Sequence, residues 1–268
     1  MPITKFTLFA LLLQLFIAGA VFADQADTWP KKAQAAIVLT YDDAMDSQLD
    51  TALPQLNRAG LRATFYISPV SENLMTRLDE WRQADAQGHE LANHMLHHPC
   101  RKSRQNDWVQ DAYDLNTYSL SRYVNEIKMA NKFLFAIDGK TARTFAYTCG
   151  HTRVEKNTQV IEALKPLFLA ARAVSSDGLN DPAKLDYFKI RSQDAAGRSG
   201  AQLISMAEVA KQKNQLLVFL FHGVGAGHLS VSVEAHQALV DYLKKNTAAY
   251  WVTTLKQAVI YNKSRLQP

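Results

Sequence analysis

The run Ile37-Val38-Leu39-Thr40-Tyr41-Asp42-Asp43 is an apolar strand that ends in two adjacent carboxylates. A strand this continuously apolar is buried on both faces, which calls for helices packed against a parallel sheet or barrel. In such folds the chemistry sits at the strand ends. Asp is also a good helix cap, and a helix is expected next. Asp46 or Ser47 is better placed for that role. Two neighbouring carboxylates behind a buried strand repel each other and lose hydration unless a cation is present, so the pair points to a metal-linked site.

The rest of the chain alternates the two periods. Ser47–Ala59 reads as a helix stopped by Gly60, Ala63–Ile67 as a strand, Leu74–Gln87 as a helix and Glu90–Asn93 as a short strand. Tyr118–Ala136 is a long amphipathic helix, and Thr144–Tyr147, Leu167–Val174 and Leu185–Ile190 read as strands. Ala201–Lys213 and Val233–Lys245 are helices around the most apolar strand, Gln215–Phe221, and Tyr250–Thr253 is the last strand. Seven or eight β/α units favour an α/β barrel over an open sheet. No linker, repeat or low-complexity tract interrupts the chain after Pro30, so residues 24–268 are expected to form one domain.

Histidines supply the next constraint. His94 and His98 are four apart, which places both rings on one side if residues 94–98 form a helical turn that Pro99 ends. His97 competes at three-residue spacing. One Asp and two histidines make a facial set of metal ligands, with a second Asp beside them free to act as a base. His222 ends the strand Val218–Phe221 with Gly223 after it, suited to close approach by a ligand and to proton donation near neutral pH. His89, His151, His228 and His236 lack such context and are read as structural or surface residues. Trp108, Tyr113 and Tyr118 serve equally as a stacking wall for a ligand or as core.

The amino terminus is read separately. Lys5 followed by the uncharged run Phe6–Phe22 and a Val21-Phe22-Ala23 ending has the form of a cleaved signal peptide over residues 1–23, which implies an exported, periplasmic or secreted protein without stable membrane insertion. Removing Lys5 lowers the formal charge from +5 to +4. With no basic cluster interleaved with aromatics, no nucleic-acid partner is expected. In an oxidising compartment the two cysteines, Cys100 after His98-Pro99 and Cys149 before Gly150, favour a disulfide across one pocket rim. Two buried thiols or a metal-binding thiol are the alternatives.

Thr40-Tyr41-Asp42-Asp43, Asn93-His94 with His98-Pro99, the loop Phe145-Ala146-Tyr147-Thr148-Cys149-Gly150 and Phe221-His222-Gly223 resemble, in order and spacing, the motifs of the polysaccharide deacetylase family, also called carbohydrate esterase family 4. The resemblance runs from about Ile37 to Leu255. It implies a deformed (β/α) barrel and a divalent metal, usually zinc, held by Asp43, His94 and His98. Asp42 would then be the general base acting on the attacking water and His222 the general acid. A backbone N–H of Tyr147 or a neighbour in the loop up to Gly150 would complete an oxyanion site. The implied substrate is an acetylated glycan.

Three departures stand out. Ala44 replaces the glycine that usually closes the first motif. Ala146 occupies the place of an arginine, with Arg143 three residues earlier, and the Asp-Trp pair of a fourth motif is missing after the strand that carries Arg172. Arg172 is the candidate partner for Asp42. The leading expectation is a metal-dependent deacetylase of an N-acetylated polymer or oligomer. An O-acetyl esterase of the xylan type and a catalytically degenerate carbohydrate-binding barrel are the alternatives.

Overall fold

The computed structural model describes residues 28–266 except residue 156; the leader over residues 1–23 lies outside the described residues. β1 (Ala35–Asp42) is buried along its whole length and leads through a π-helical turn, Gln48–Ala52, into α1 (Leu53–Ala59), which Gly60 ends in a left-handed conformation. β2 (Thr64–Ile67), α2 (Glu72–Thr76), α3 (Leu78–Ala86), β3 (Glu90–Asn93) and α4 (Leu120–Asp138) follow. Next come β4 (Phe145–Ala146), the hairpin of β5 (Arg153–Val154) and β6 (Thr158–Gln159), α5 (Ile161–Leu164), β7 (Ala171–Val174), β8 (Leu179–Asn180) and β9 (Ile190–Asp194). The chain finishes with α6 (Gly200–Lys213), β10 (Leu216–Phe221), α7 (Val233–Lys245), β11 (Tyr250–Thr253) and α8 (Leu255–Leu266).

Seven parallel strands close a ring in the order β1-β2-β3-β4-β7-β9-β10, and β10 returns to β1. The deformation has a definite form. One edge of β1 is shared, with Ala35–Val38 pairing to β11 and Thr40–Asp42 to β2. The edge of β10 is shared likewise, between the antiparallel β8 at Leu216–Leu217 and β9 at Phe219–Leu220.

Side chains alternate along each strand, and in this barrel the even-numbered residues point inward. Ala36, Val38, Tyr66, Ala92, Ala146, Ile190, Leu216 and Val218 fill the lower interior against α8. The odd-numbered Ile37, Leu39, Tyr41, Phe65, Phe219 and Phe221 pack outward under the helices. Tyr41 stacks between Phe65 (4.9 Å) and Phe221 (5.2 Å), locking three neighbouring strands together. The same parity carries Asp42, His94, Arg172, Asp194 and His222 to the interior at the carboxyl ends.

Three expected elements differ, and α8 adds to them. The helix over 47–59 begins as a π turn because Ser47 Oγ accepts from Val224 N (3.2 Å) and Gln48 Nε2 donates to the carbonyls of Asp42 (2.5 Å) and His222 (3.2 Å); these bonds tie the ends of β1 and β10 together instead of capping a helix. Asp46 is drawn to Arg77 (2.9 Å), and Arg77 also marks the break that splits the expected helix over 74–87 into α2 and α3. The strand expected at 185–190 lies at Ile190–Asp194, because Leu185–Lys189 turn at the base of the barrel. Helix α8 was not anticipated; its first N–H groups are met by Thr64 Oγ1 (2.8 Å) and the buried carboxylate of Glu90 (3.0 Å). Among the described residues no helix is long and apolar enough to cross a membrane.

Candidate active site

Asp42 is the last residue of β1 and is 3% exposed inside the barrel mouth. Its Oδ2 accepts from Arg172 Nη2 at 2.5 Å, and Arg172 is itself buried, donating through Nη1 to Ser192 Oγ (3.0 Å) and lying over the Tyr66 ring (5.0 Å). Asp42 Oδ1 has no hydrogen-bond partner. Arg172 stands on β7 directly beside Ala146 on β4, its register partner. The arginine missing from position 146 is therefore supplied one strand over, at the same level. Arg143 is elsewhere, bound to Asp138 (2.7 and 2.6 Å) and the Leu91 carbonyl (2.8 Å).

Asp43 and Ala44 leave the strand with φ of 77° and 54°. That left-handed turn explains why a glycine suits position 44, and Ala44 holds it at a cost of about 1–2 kcal/mol. The histidine segment is not the helical turn expected from its spacing. Met95 and His98 take positive φ (65° and 49°), Asn93 Oδ1 accepts from Met95 N (2.8 Å), and the chain folds back so that the two imidazoles converge, with centroids 4.8 Å apart. His97 turns away and stacks on Tyr113 (4.9 Å).

Asp43 Oδ1 lies 3.5 Å from His94 Nε2 and 3.4 Å from His98 Nε2. These separations are too long for good hydrogen bonds, and Oδ1 is buried without a partner. Three donors around a tetrahedral ion at 2.0–2.2 Å stand roughly 3.3–3.6 Å apart, so the spacing matches a shared cation. His94 Nδ1 is 3.0 Å from the Ala146 carbonyl and donates to it, which leaves Nε2 as a bare lone pair aimed at Asp43. Burial lowers the His94 pKa to about 4, keeping the ring neutral as a ligand must be. Asp43, His94 and His98 thus fit a divalent metal.

His222 follows β10 and faces Asp43 Oδ2 at 4.0 Å; its Nδ1 is buried and unpartnered. His228 was expected to be a structural or surface residue with no part in the site. Instead, the loop after His222 folds back, with Val231 N donating to Gly223 O (3.0 Å) and Gly223 N to His228 O (3.3 Å), and places His228 Nε2 2.8 Å from Asp43 Oδ2. Gly227 takes a φ of 89°, a left-handed conformation that favours glycine, and this lets the loop make its return. Burial pushes the Asp43 carboxyl up, but the hydrogen bond from His228 and the facing His98, His94 and His222 outweigh it and hold the group well below the usual carboxylate range. The other three histidines are structural: His89 and His236 are buried and hydrogen-bonded, and His151 Nδ1 accepts from Arg101 N (3.2 Å).

A cavity of about 280 Å³ over these groups is walled by Tyr147, Cys149, Gly150, Val174 and Asp194. Tyr147 N donates to the Arg172 carbonyl (3.1 Å) and Gly150 N to the Tyr147 carbonyl (3.0 Å). Both N–H groups are thus engaged by backbone carbonyls, which leaves the expected oxyanion role to a neighbour in the loop. Cys100 and Cys149 form a disulfide across the rim, with Cα atoms 5.8 Å apart, which removes the thiol-ligand alternative. Tyr118 is buried and Tyr113 is engaged by His97; of the three candidate sugar-stacking aromatics, Trp108 reaches the cavity. Asp194 escaped notice because its strand had been placed several residues too early.

The polysaccharide deacetylase family matches residues 30–167, just over half of the chain. No curated protein matches the sequence. Among solved structures, the peptidoglycan deacetylase PdaC from Bacillus subtilis is 18% identical with a TM-score of 0.55, covering 87% of this chain and 93% of that one. A family 4 acetyl xylan esterase from Clostridium thermocellum, in complex with a cobalt ion, is 15% identical with a TM-score of 0.54, over 85% and 92% of the two chains. A BA3943 mutant described as a CE4 family pseudoenzyme is 15% identical with a TM-score of 0.55, over 84% and 67%. At these identities the likeness establishes the fold, and a deacetylase, an esterase and a pseudoenzyme share it. With the family matched along residues 30–167 and the seven-stranded barrel closed around its motif residues, the chain belongs to the polysaccharide deacetylase family.

Proposed function

We propose that this protein is an exported, metal-dependent hydrolase that removes acetyl groups from an N-acetylated glycan, cleaving a non-peptide amide bond. The observation that carries the reading is the buried, unpartnered Asp43 Oδ1 set between two imidazole nitrogens, with a second carboxylate, Asp42, alongside. Asp43, His94 and His98 would hold the ion, and their mixed oxygen and nitrogen donor set suits zinc. When bound, a divalent cation supplies Lewis acidity, making an attacking water acidic at neutral pH and polarising the acetyl carbonyl.

The chain's own residues carry the rest. Asp42 takes the proton of the attacking water through its free Oδ1, while Arg172 fixes Oδ2. His222 delivers a proton to the departing nitrogen. His228 holds Asp43 Oδ2, so that Oδ1 alone faces the two histidines. The unpartnered Nδ1 of His222 supports a second reading, O-acetyl ester cleavage, because an ester oxygen needs protonation less than an amide nitrogen. A binding-only barrel is disfavoured by Arg172, which sits where a base needs its partner. The disulfide supports the exported setting.

The test is acetate release from N-acetylated and O-acetylated glycans by the metal-loaded protein and its Asp42→Asn variant, with and without chelator. Chelator-sensitive acetate that disappears in the variant is expected, and the preferred substrate separates amide from ester. Acetate that persists under chelation would refute the metal-dependent reading.

A further inference from the structure

The two carboxylate oxygens of Asp43 face different partners, and each meets a pair of histidines. Oδ1 lies between His94 and His98, the set that fits the metal. Oδ2 lies 2.8 Å from His228 Nε2 and 4.0 Å from His222 Nε2, and the ligand atoms of Asp43, His222 and His228 are all within 4.8 Å of one another. One carboxylate oxygen and two imidazoles are therefore present twice, joined through a single residue. His228 stands outside the family's motif residues, on the loop that the left-handed Gly225 and Gly227 turn back over the mouth.

The second set suits an ion in its own right. Its separations of 2.8 and 4.0 Å bracket the roughly 3.3–3.6 Å between donors that share a tetrahedral cation. The His228 side chain is 58% exposed and free to back away from Oδ2. The cavity of about 590 Å³ lined by Asp43, His98 and His228 leaves room for the ion's water ligands.

Two observations make this set the weaker one. His94 is oriented by the Ala146 carbonyl on its far nitrogen, whereas His222 Nδ1 has no hydrogen-bond partner to fix its ring. The carboxylates of Asp42, Asp43 and Asp194 against the Arg172 guanidinium leave a formal charge of −2 around the catalytic cavity, which one divalent ion neutralises. A second ion finds no charge left to balance it.

We infer that Asp43 bridges two cation sites, a tight one at Oδ1 with His94 and His98 and a weaker one at Oδ2 with His222 and His228, and that filling the second acts as a brake. An ion entering there sends the proton shared by His228 and Oδ2 to solvent, and its bond to His222 takes that ring out of proton delivery. The brake rests on the reading of His222 as proton donor; the site itself does not.

Zinc uptake by the full chain, measured by elemental analysis after equilibrium dialysis against rising free zinc, tests the pair. A first equivalent is expected, then a second about 100-fold weaker, the size of the loss when a ligand histidine lacks its outer partner. His228→Gln, which keeps a hydrogen-bonding group near Oδ2 but offers no imidazole, should bind one equivalent, as should His228→Ala. With cobalt, the second equivalent should quench the paramagnetic resonance of the first through the shared carboxylate. Acetate release should rise with the first equivalent and fall about 10²-fold with the second, the lower range for a lost proton donor, and His228→Gln should show no such fall. A single equivalent up to millimolar zinc, or a second that persists in both His228 variants, would overturn the site, and a second equivalent that leaves acetate release unchanged would overturn the brake. Absence of acetate at every zinc level would defeat the hydrolase reading and the brake with it, while the stoichiometry still decides the site.

Discussion

The two halves of the barrel mouth are built on different rules. On the side of β1 to β3, Asp42, Asp43, His94 and His98 sit at strand ends within short motifs, and their positions follow from local sequence. On the side of β4 to β10 the supporting groups come from places the motifs do not specify: Arg172 stands on β7 instead of position 146, Asp194 ends β9, and His228 arrives on a glycine-rich loop. Donors that share one ion must sit within tenths of an ångström, so they are tied to fixed backbone geometry. A group that only holds a carboxylate can reach from any adjacent inward position. In this barrel the exchange conserves volume, because small Ala146 and large Arg172 are side by side at one register.

The largest effect should come from the motif half. Asp42→Asn is expected to lower acetate release about 10³-fold, the middle of the range for loss of a positioned base, with metal stoichiometry unchanged by elemental analysis; loss of the metal as well would move Asp42 into the ligand set. Next comes the covalent tie between the halves. Replacing Cys100 and Cys149 together by serine should cost about 2–4 kcal/mol in denaturant unfolding, and an unaltered midpoint would deny the disulfide any part in holding the rim.

On the variable side the expected effects are smaller. His228→Ala should weaken metal affinity about tenfold or more in chelator competition, as loss of an outer hydrogen bond to a ligand does, with His228→Gln recovering part of it. Equal affinity in all three proteins would reduce His228 to a bystander. The last effect lies outside the mouth and vanishes at neutral pH. Burial lowers the His89 pKa to about 3, below its ordinary value near 6.5. The unfolded chain therefore binds a proton in that window that the folded chain does not, so this group's stability is complete above about pH 6.5 and is lost as pH falls toward 3. Metal-free protein should lose about 1.4 kcal/mol through His89 for each pH unit below 6.5, and His89→Gln should flatten the dependence of Tm on pH; an unchanged slope would contradict it.

These contrasts follow what a sequence can encode locally. Unbroken apolarity exposed β1 and β10, and with them Asp42 and His222, because both strands are buried on both faces. Short strands gave a weaker signal: β4 has two residues and β9 mixes Arg191, Gln193 and Asp194, so Asp194 stayed hidden. The spacing of His94 and His98 was informative although its helical explanation was not, since two left-handed residues bring the rings together where a helical turn had been expected. Arg172 could be named from the strand that bears it. His228 could not, because its approach to Asp43 depends on a long-range loop closure permitted by Gly227.

The account centres on the displaced arginine, and one comparison addresses it: acetate release by Arg172→Ala and by the double variant Arg172→Ala/Ala146→Arg, with folding checked by Tm. The single change should reduce release about 10²-fold, and restoring an arginine at the neighbouring register position should recover about tenfold of that loss. A single variant as active as the parent would contradict the claim that Arg172 holds the base in place.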